Sequence, residues 1–123
     1  MSYDNNNIFA KILREEIPCN KIYEDEFVLS FYDINPQKKV HALVIPKGKY
    51  INLDDFCTKA PNDEIVGLIK GINIVANKLG ISSNIGKGYR ALANISEYGG
   101  QEVPHLHFHL FGGENIGKMV QWI

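Results

Sequence analysis

The chain has little cysteine, a single tryptophan and no surplus of either charge. Cys19 and Cys57 stand 38 residues apart with no C-x-x-C spacing, which argues against a disulfide framework and against a cysteine zinc ribbon. A reduced, cytoplasmic setting is the expectation. Thirteen Lys and Arg against fourteen Asp and Glu give a net charge of −1, so the electrostatic case for nucleic acid or an anionic membrane as partner is missing. No apolar run approaches the ~20 residues of a membrane helix. The polar start, Met1 to Asn7, has no basic segment followed by an apolar one, so no signal peptide is expected. A small phosphorylated ligand is still compatible with this balance.

With 123 residues, 45% of them hydrophobic and 22% charged, the chain suits one domain with a proper core. Ile8, Phe9, Ile12 and Leu13 recur at helical spacing, predicting a short helix over 7–16. Residues 21–34 contain two β-rich runs around Glu24-Asp25-Glu26, a hairpin pattern, and 40–46 form a third such run. The stretch that follows reads as irregular. From Pro61 to Leu79 the apolar positions keep a 3.6-residue period, with Asp63 and Glu64 in the first turn and Gly80 after the end, so a long helix is predicted. Residues 89–95 and 103–111 read as two final strands that pair antiparallel. This order gives an α+β domain over 1–123, with a polar extension at 1–6 and a tail at 114–123. Parallel strands alternating with helices are missing, so a doubly wound fold is not expected.

Three of the four histidines fall in His105-Leu-His-Phe-His109, alternating with large apolar residues. On a strand this pattern sends Leu106, Phe108 and Leu110 to the core and lines His105, His107 and His109 along the other face, about 6.5–7 Å apart. Imidazole changes charge near neutrality and offers both a nucleophilic nitrogen and a donor, so such a row suits acid–base or covalent chemistry. Metal binding is the competing reading, since His-x-His with His41 can supply three imidazoles. About 13 Å of strand between His105 and His109 keeps those two from sharing one ion.

The segment from His105 to Phe111 with Gly112-Gly113 resembles the histidine triad (HIT) motif, and the Gly-Gly ending is similar to its Hint branch. Ile8-Phe-Ala-Lys-Ile12, Ile17-Pro18, Tyr32 to Gln37, His41 to Lys47, Gly88-Tyr-Arg90, Asn94 and Gly99 to Val103 resemble further segments of that branch in the same order. The resemblance implies a HIT-like fold: an antiparallel sheet of about five strands with one short N-terminal and one long central helix, in a homodimer. It implies hydrolysis of purine nucleoside phosphoramidates, such as AMP joined to an amine, with no cofactor and no resident metal.

Carried over by position, His107 is the nucleophile that forms a nucleotidyl-histidine. His109 is a donor on the phosphate or leaving-group side, His105 orders the network, and His41 approaches from the neighbouring strand. Asp33, with Ile34 beside it, resembles the acid that accepts from the ribose hydroxyls. Ile8, Phe9, Ile12, Phe31 and Leu43 resemble the apolar slot for a purine, though each serves equally as core. Asn94 and the backbone of Gly100, Gln101, Glu102 and Val103 resemble the phosphate-binding segment. Glu102 and Pro104 depart from the branch's usual residues. Met119, Val120, Trp122 and Ile123 suggest a tail that covers a surface, either on its own chain or at the partner's substrate site. A nucleotide-binding module with vestigial catalysis is the alternative, and a dinucleoside polyphosphate hydrolase fits less well because Phe111-Gly-Gly113 replaces a Leu-Pro-Arg type ending.

Overall fold

A computed structural model describes residues 2–120. Its elements are α1 (Ile8–Leu13), β1 (Lys21–Glu24), β2 (Val28–Tyr32), β3 (Val40–Pro46), α2 (Leu53–Lys59), α3 (Asn62–Lys78), β4 (Arg90–Leu92) and β5 (Phe108–Gly112). The strands form one antiparallel sheet in the order β1-β2-β3-β5-β4, so the fold is α+β as expected. Among the described residues no helix is long and apolar enough to cross a membrane.

Strand periodicity divides the sheet into two faces. Val28, Ala42, Val44 and Leu110 pack with Phe56, Leu68, Ile72 and Val75 in the larger core, under α3. Their sequence neighbours Leu29, Phe31, Leu43 and Ile45 point the other way and pack with Phe9 and Ile12 of α1. Helix α3 can lie close to β2 because of two glycines one turn apart. A Cβ on Gly71 would come within 2.9 Å of Val28, and one on Gly67 within 2.4 Å of Phe27.

Four local readings need correction. Helix α1 stops at Leu13, short of Glu16, because Glu15 takes φ +64. The Glu15 and Glu16 N–H groups then turn back onto the Ile12 and Lys11 carbonyls. This C-terminal motif normally carries glycine, so no residue type marks the stop there. Helix α2 lies in the stretch read as irregular. Asn52 caps it by accepting from the Asp55 N–H (2.9 Å), Asp54 and Asp55 fill its first turn, and it buries only Phe56. One apolar anchor leaves no periodicity to detect, although the Asn cap with acids behind it was a usable cue.

The last two strands are shorter than 89–95 and 103–111. Pro104 has no N–H, and the His105 and Leu106 N–H groups bond to the carbonyls of Val103 and Tyr50 outside the ladder. His105 and His107 therefore precede β5, and only His109 of the three is on a strand. The tail reading can be followed only in part, since Trp122 and Ile123 lie outside the described residues. Up to Met119 the tail folds back toward β4, where the Arg90 guanidinium donates to the carbonyls of Gly117 and Lys118 at 3.0 Å each.

Candidate active site

Four imidazoles gather on the α1 face of the sheet, at the end of the apolar cluster. His41 and His109 come from adjacent strands, where His109 lies opposite Leu43 and His41 opposite Phe111. The His107 and His109 ring centres are 5.1 Å apart, and those of His41 and His109 are 5.2 Å apart. The even row of three is not what forms. His105 is fully buried, and His41 and His107 are nearly so, while His109 is half-buried. Leu106 and Leu110 face the larger core as expected, with Phe108 packed against it.

Main-chain groups of fixed polarity assign the protons on these rings. The Gln37 N–H donates to His41 Nδ1 (3.1 Å), so neutral His41 carries its proton on Nε2. That Nε2–H donates to His109 Nδ1 at 2.9 Å, which leaves the His109 proton on Nε2. The His105 carbonyl, 2.8 Å from His107 Nδ1, can only accept, so Nδ1 carries the hydrogen and the Nε2 lone pair is left available. The Pro46 carbonyl likewise takes a hydrogen from His105 Nε2 at 2.9 Å.

Burial keeps the rings neutral. Desolvation lowers His41 and His107 below the ordinary histidine value and takes His105 to about 4. His109 is also held to about 4, by desolvation first and then by its imidazole neighbours. At pH 7 the cluster thus holds one imidazole offering a lone pair, His107, beside one offering an N–H, His109.

Asp33 sits at the mouth of this cluster. One carboxylate oxygen accepts from the Asn35 N–H (2.8 Å) and the other is 3.4 Å from His41 Nε2. Asp33, His41 and His109 each present a ligand atom, and these atoms all lie within 4.8 Å of one another. Two of the separations, 2.9 and 3.4 Å, bracket the roughly 3.3 Å between ligands of a tetrahedral zinc. Any metal would therefore be taken by this set from three segments, and not by a pair within His-x-His.

The residues read as a purine slot divide in two. Phe9, Ile12, Phe31 and Leu43 are buried in the α1-face cluster, with the Phe9 ring edge-on to His107 at 4.9 Å. Ile8 is exposed, and so is Ile34 beside Asp33, at 85%. A cavity of about 460 Å³ continues the cluster past Ile12 and Leu29 toward Ile17, Pro18 and Cys19. A second, of about 910 Å³, lies between Gly80, Lys87, Arg90 and Gly117, and neither is lined by a histidine.

The segment that resembles a phosphate-binding one is partly committed to its own turn. Gly100, at φ +74, and Gln101 donate their N–H groups to the Glu97 and Ser96 carbonyls. The Gln101 side chain ties the loop to the Ile51 and Val103 carbonyls. Glu102 and Val103 donate to no backbone carbonyl among the described residues. The Glu102 side chain is exposed, and Asn94 is half-buried just beyond β4. The sequence assigns no role to Tyr3, Gln37 or Pro46, although each fixes an imidazole of the cluster: Gln37 and Pro46 act through main-chain groups, which leave no residue-type signal, and Tyr3 acts through a hydroxyl 102 residues from its partner.

The HIT domain profile matches residues 14–116. A 13.2 kDa HIT-like protein of Azospirillum brasilense is 50% identical over 97% of this chain and 95% of its own length. The purine nucleoside phosphoramidase of Escherichia coli K12 is 39% identical, covering 92% of each chain. A solved HIT family hydrolase from Clostridium thermocellum superposes with a TM-score of 0.85 at 38% identity, over 96% of this chain and 99% of that one. The histidine cluster and these likenesses agree: the chain belongs to the HIT family and has hydrolases among its relatives.

Proposed function

We propose that the protein hydrolyses the P–N bond of purine nucleoside 5′-phosphoramidates through a nucleotidyl-His107 intermediate. The observation that carries this reading is the pairing of tautomers, an Nε2 lone pair on His107 beside an Nε2–H on His109. The E. coli relative named purine nucleoside phosphoramidase supports the substrate class.

His107 Nε2 attacks the α-phosphorus as the P–N bond breaks, and the amine leaves with a proton taken from solvent, which the attacking water of the second step returns. Dividing one displacement into two steps lowers each barrier, and a neutral imidazole needs no base to attack at pH 7. As electron density leaves His107, its Nδ1–H bond to the His105 carbonyl strengthens and steadies the positive ring. The His109 Nε2–H binds a phosphoryl oxygen. Water then displaces His107 from phosphorus, releasing the nucleotide and restoring the neutral ring. Asp33 accepts from the ribose hydroxyls, and Ile8 and Ile34 flank the base over the Phe9, Phe31 and Leu43 cluster. The free N–H groups near Glu102 and Val103, with Asn94, receive the phosphate. No metal enters these steps, and two copies of the chain form the working dimer.

The direct test compares turnover of an adenosine 5′-phosphoramidate with that of a diadenosine polyphosphate, followed by rapid quenching and peptide mass analysis. Turnover of the phosphoramidate with one nucleotidyl group on the His107 peptide is expected. An adduct on His105 or His109, or preference for the polyphosphate, overturns the reading.

A further inference from the structure

The N-terminal extension lies outside the matched HIT domain, yet it reaches the centre of the site. It is held in place locally. The Asp4 carbonyl accepts from the Asn7 backbone and side-chain N–H groups, and the Arg14 guanidinium donates to the Asn5 carbonyl at 2.8 Å. These bonds bring the Tyr3 hydroxyl to 2.6 Å from His105 Nδ1, with the phenol ring edge-on to the imidazole.

The direction of that bond is forced. His105 Nε2 faces the Pro46 carbonyl and must donate, so a neutral His105 presents a lone pair at Nδ1 and the Tyr3 hydroxyl is the donor. We propose that Tyr3 is a positioning residue: it holds His105 so that the His105 carbonyl stays aimed at His107 Nδ1 and keeps the His107 lone pair on the reacting side. Two links connect it to the chemistry, Tyr3 Oη to His105 Nδ1 at 2.6 Å and His105 O to His107 Nδ1 at 2.8 Å. Removing the hydroxyl leaves a buried imidazole nitrogen without a partner while the Pro46 carbonyl still holds the proton on Nε2, a state that the side chain relieves by turning toward another donor. That turn pulls on the residue whose carbonyl His107 depends on. Burial raises the Tyr3 phenol above its ordinary value, so it is a donor throughout the neutral range.

The kinetic part of this inference rests on the proposed phosphoramidase reading, and its structural part does not. Tyr3→Phe removes only the oxygen, and Tyr3→Leu removes the ring as well. In substrate-free protein, imidazole ¹⁵N shifts should show His105 as an Nε2–H tautomer in both proteins; in Tyr3→Phe its Nδ1 signal should move to that of an unbonded lone pair, and the His107 Nδ1–H signal should move with it. With an adenosine phosphoramidate, kcat should fall about fivefold, the size of one modest hydrogen bond, while KM stays within twofold. Tyr3→Leu should match Tyr3→Phe in kcat and melt lower. An unchanged His107 Nδ1–H signal in Tyr3→Phe overturns the inference whatever the enzyme's substrate proves to be. So does a kcat that falls only in Tyr3→Leu, which makes the ring a packing element, or a lower melting temperature with kcat unchanged. Absence of all phosphoramidate turnover in the wild type, with the His107 shift change intact, removes the function reading and leaves the coupling of Tyr3 to His105 and His107 standing.

Discussion

The two faces of the sheet are built from alternate residues of the same strands and solve burial in different ways. Under α3 the groups taken out of water are almost all hydrocarbon, and the exception, Ser30, satisfies its hydroxyl on the Leu43 carbonyl at 2.8 Å. On the α1 face the apolar cluster of Phe9, Leu29, Phe31, Leu43 and Ile45 gives way to imidazoles, each of which needs a donor or acceptor in place. The first face tolerates any apolar side chain of the right volume. The second requires direction as well as volume, and a proton on the wrong nitrogen there is as damaging as a cavity.

The largest test of this contrast is His107→Ala. Turnover should fall below a hundredth of wild type with AMP affinity changed less than about threefold, because the nucleophile contributes little to ground-state binding. A variant keeping a tenth of its turnover would transfer the role elsewhere. Leu68→Ala, on the other face, should do the reverse. It should cost about 2–5 kcal/mol in denaturant unfolding, with kcat per folded molecule unchanged. A kcat loss matching the stability loss would mean that the two faces are not separable.

Asp33→Ala should weaken ribonucleotide substrates by roughly ten- to a hundredfold relative to 2′,3′-dideoxy analogues, the equivalent of about 1.5–3 kcal/mol for a charge-assisted bond. Equal losses for both series would end that assignment. The histidines also imply a pH window. His105 and His109 bind a proton near 6.5 when unfolded and near 4 when folded. The unfolded chain therefore takes up protons first, and stability should be full above about pH 6.5 and decline as pH falls toward 4. Equilibrium unfolding at stepped pH reads this directly, and His105→Gln should flatten the slope. The smallest expected effect is that of a chelator, which should leave turnover unchanged. Added zinc should inhibit through Asp33, His41 and His109, and a requirement for that metal would reverse the proposed chemistry.

Much of this was legible beforehand, and the gaps have physical causes. Strand β3 matches its predicted span because it is a short apolar run buried on both faces, and α3 matches within a residue because it buries one face at a helical period. His41 and His109 converge because antiparallel register brings neighbours on β3 and β5 together, and Asp33 and His107 join them from just beyond the strand ends. The sequence could not tell that the ladder breaks before Phe108, because one proline marks an edge strand and a bend equally well. Nor could it show that the Gln37 N–H and the Pro46 and His105 carbonyls set the tautomers, since every residue carries such groups and only the fold chooses which ones meet a ring.

Tyr3 and His105 are 102 residues apart along the chain. Contacts of such separation close a very long loop and form late, after the sheet has brought its strands together. The histidine cluster is thus completed near the end of folding, and on the ribosome only when almost the whole chain has emerged. In refolding experiments the His105 resonance should reach its native position after the helical signal has plateaued, so the scaffold should stand before the site is set.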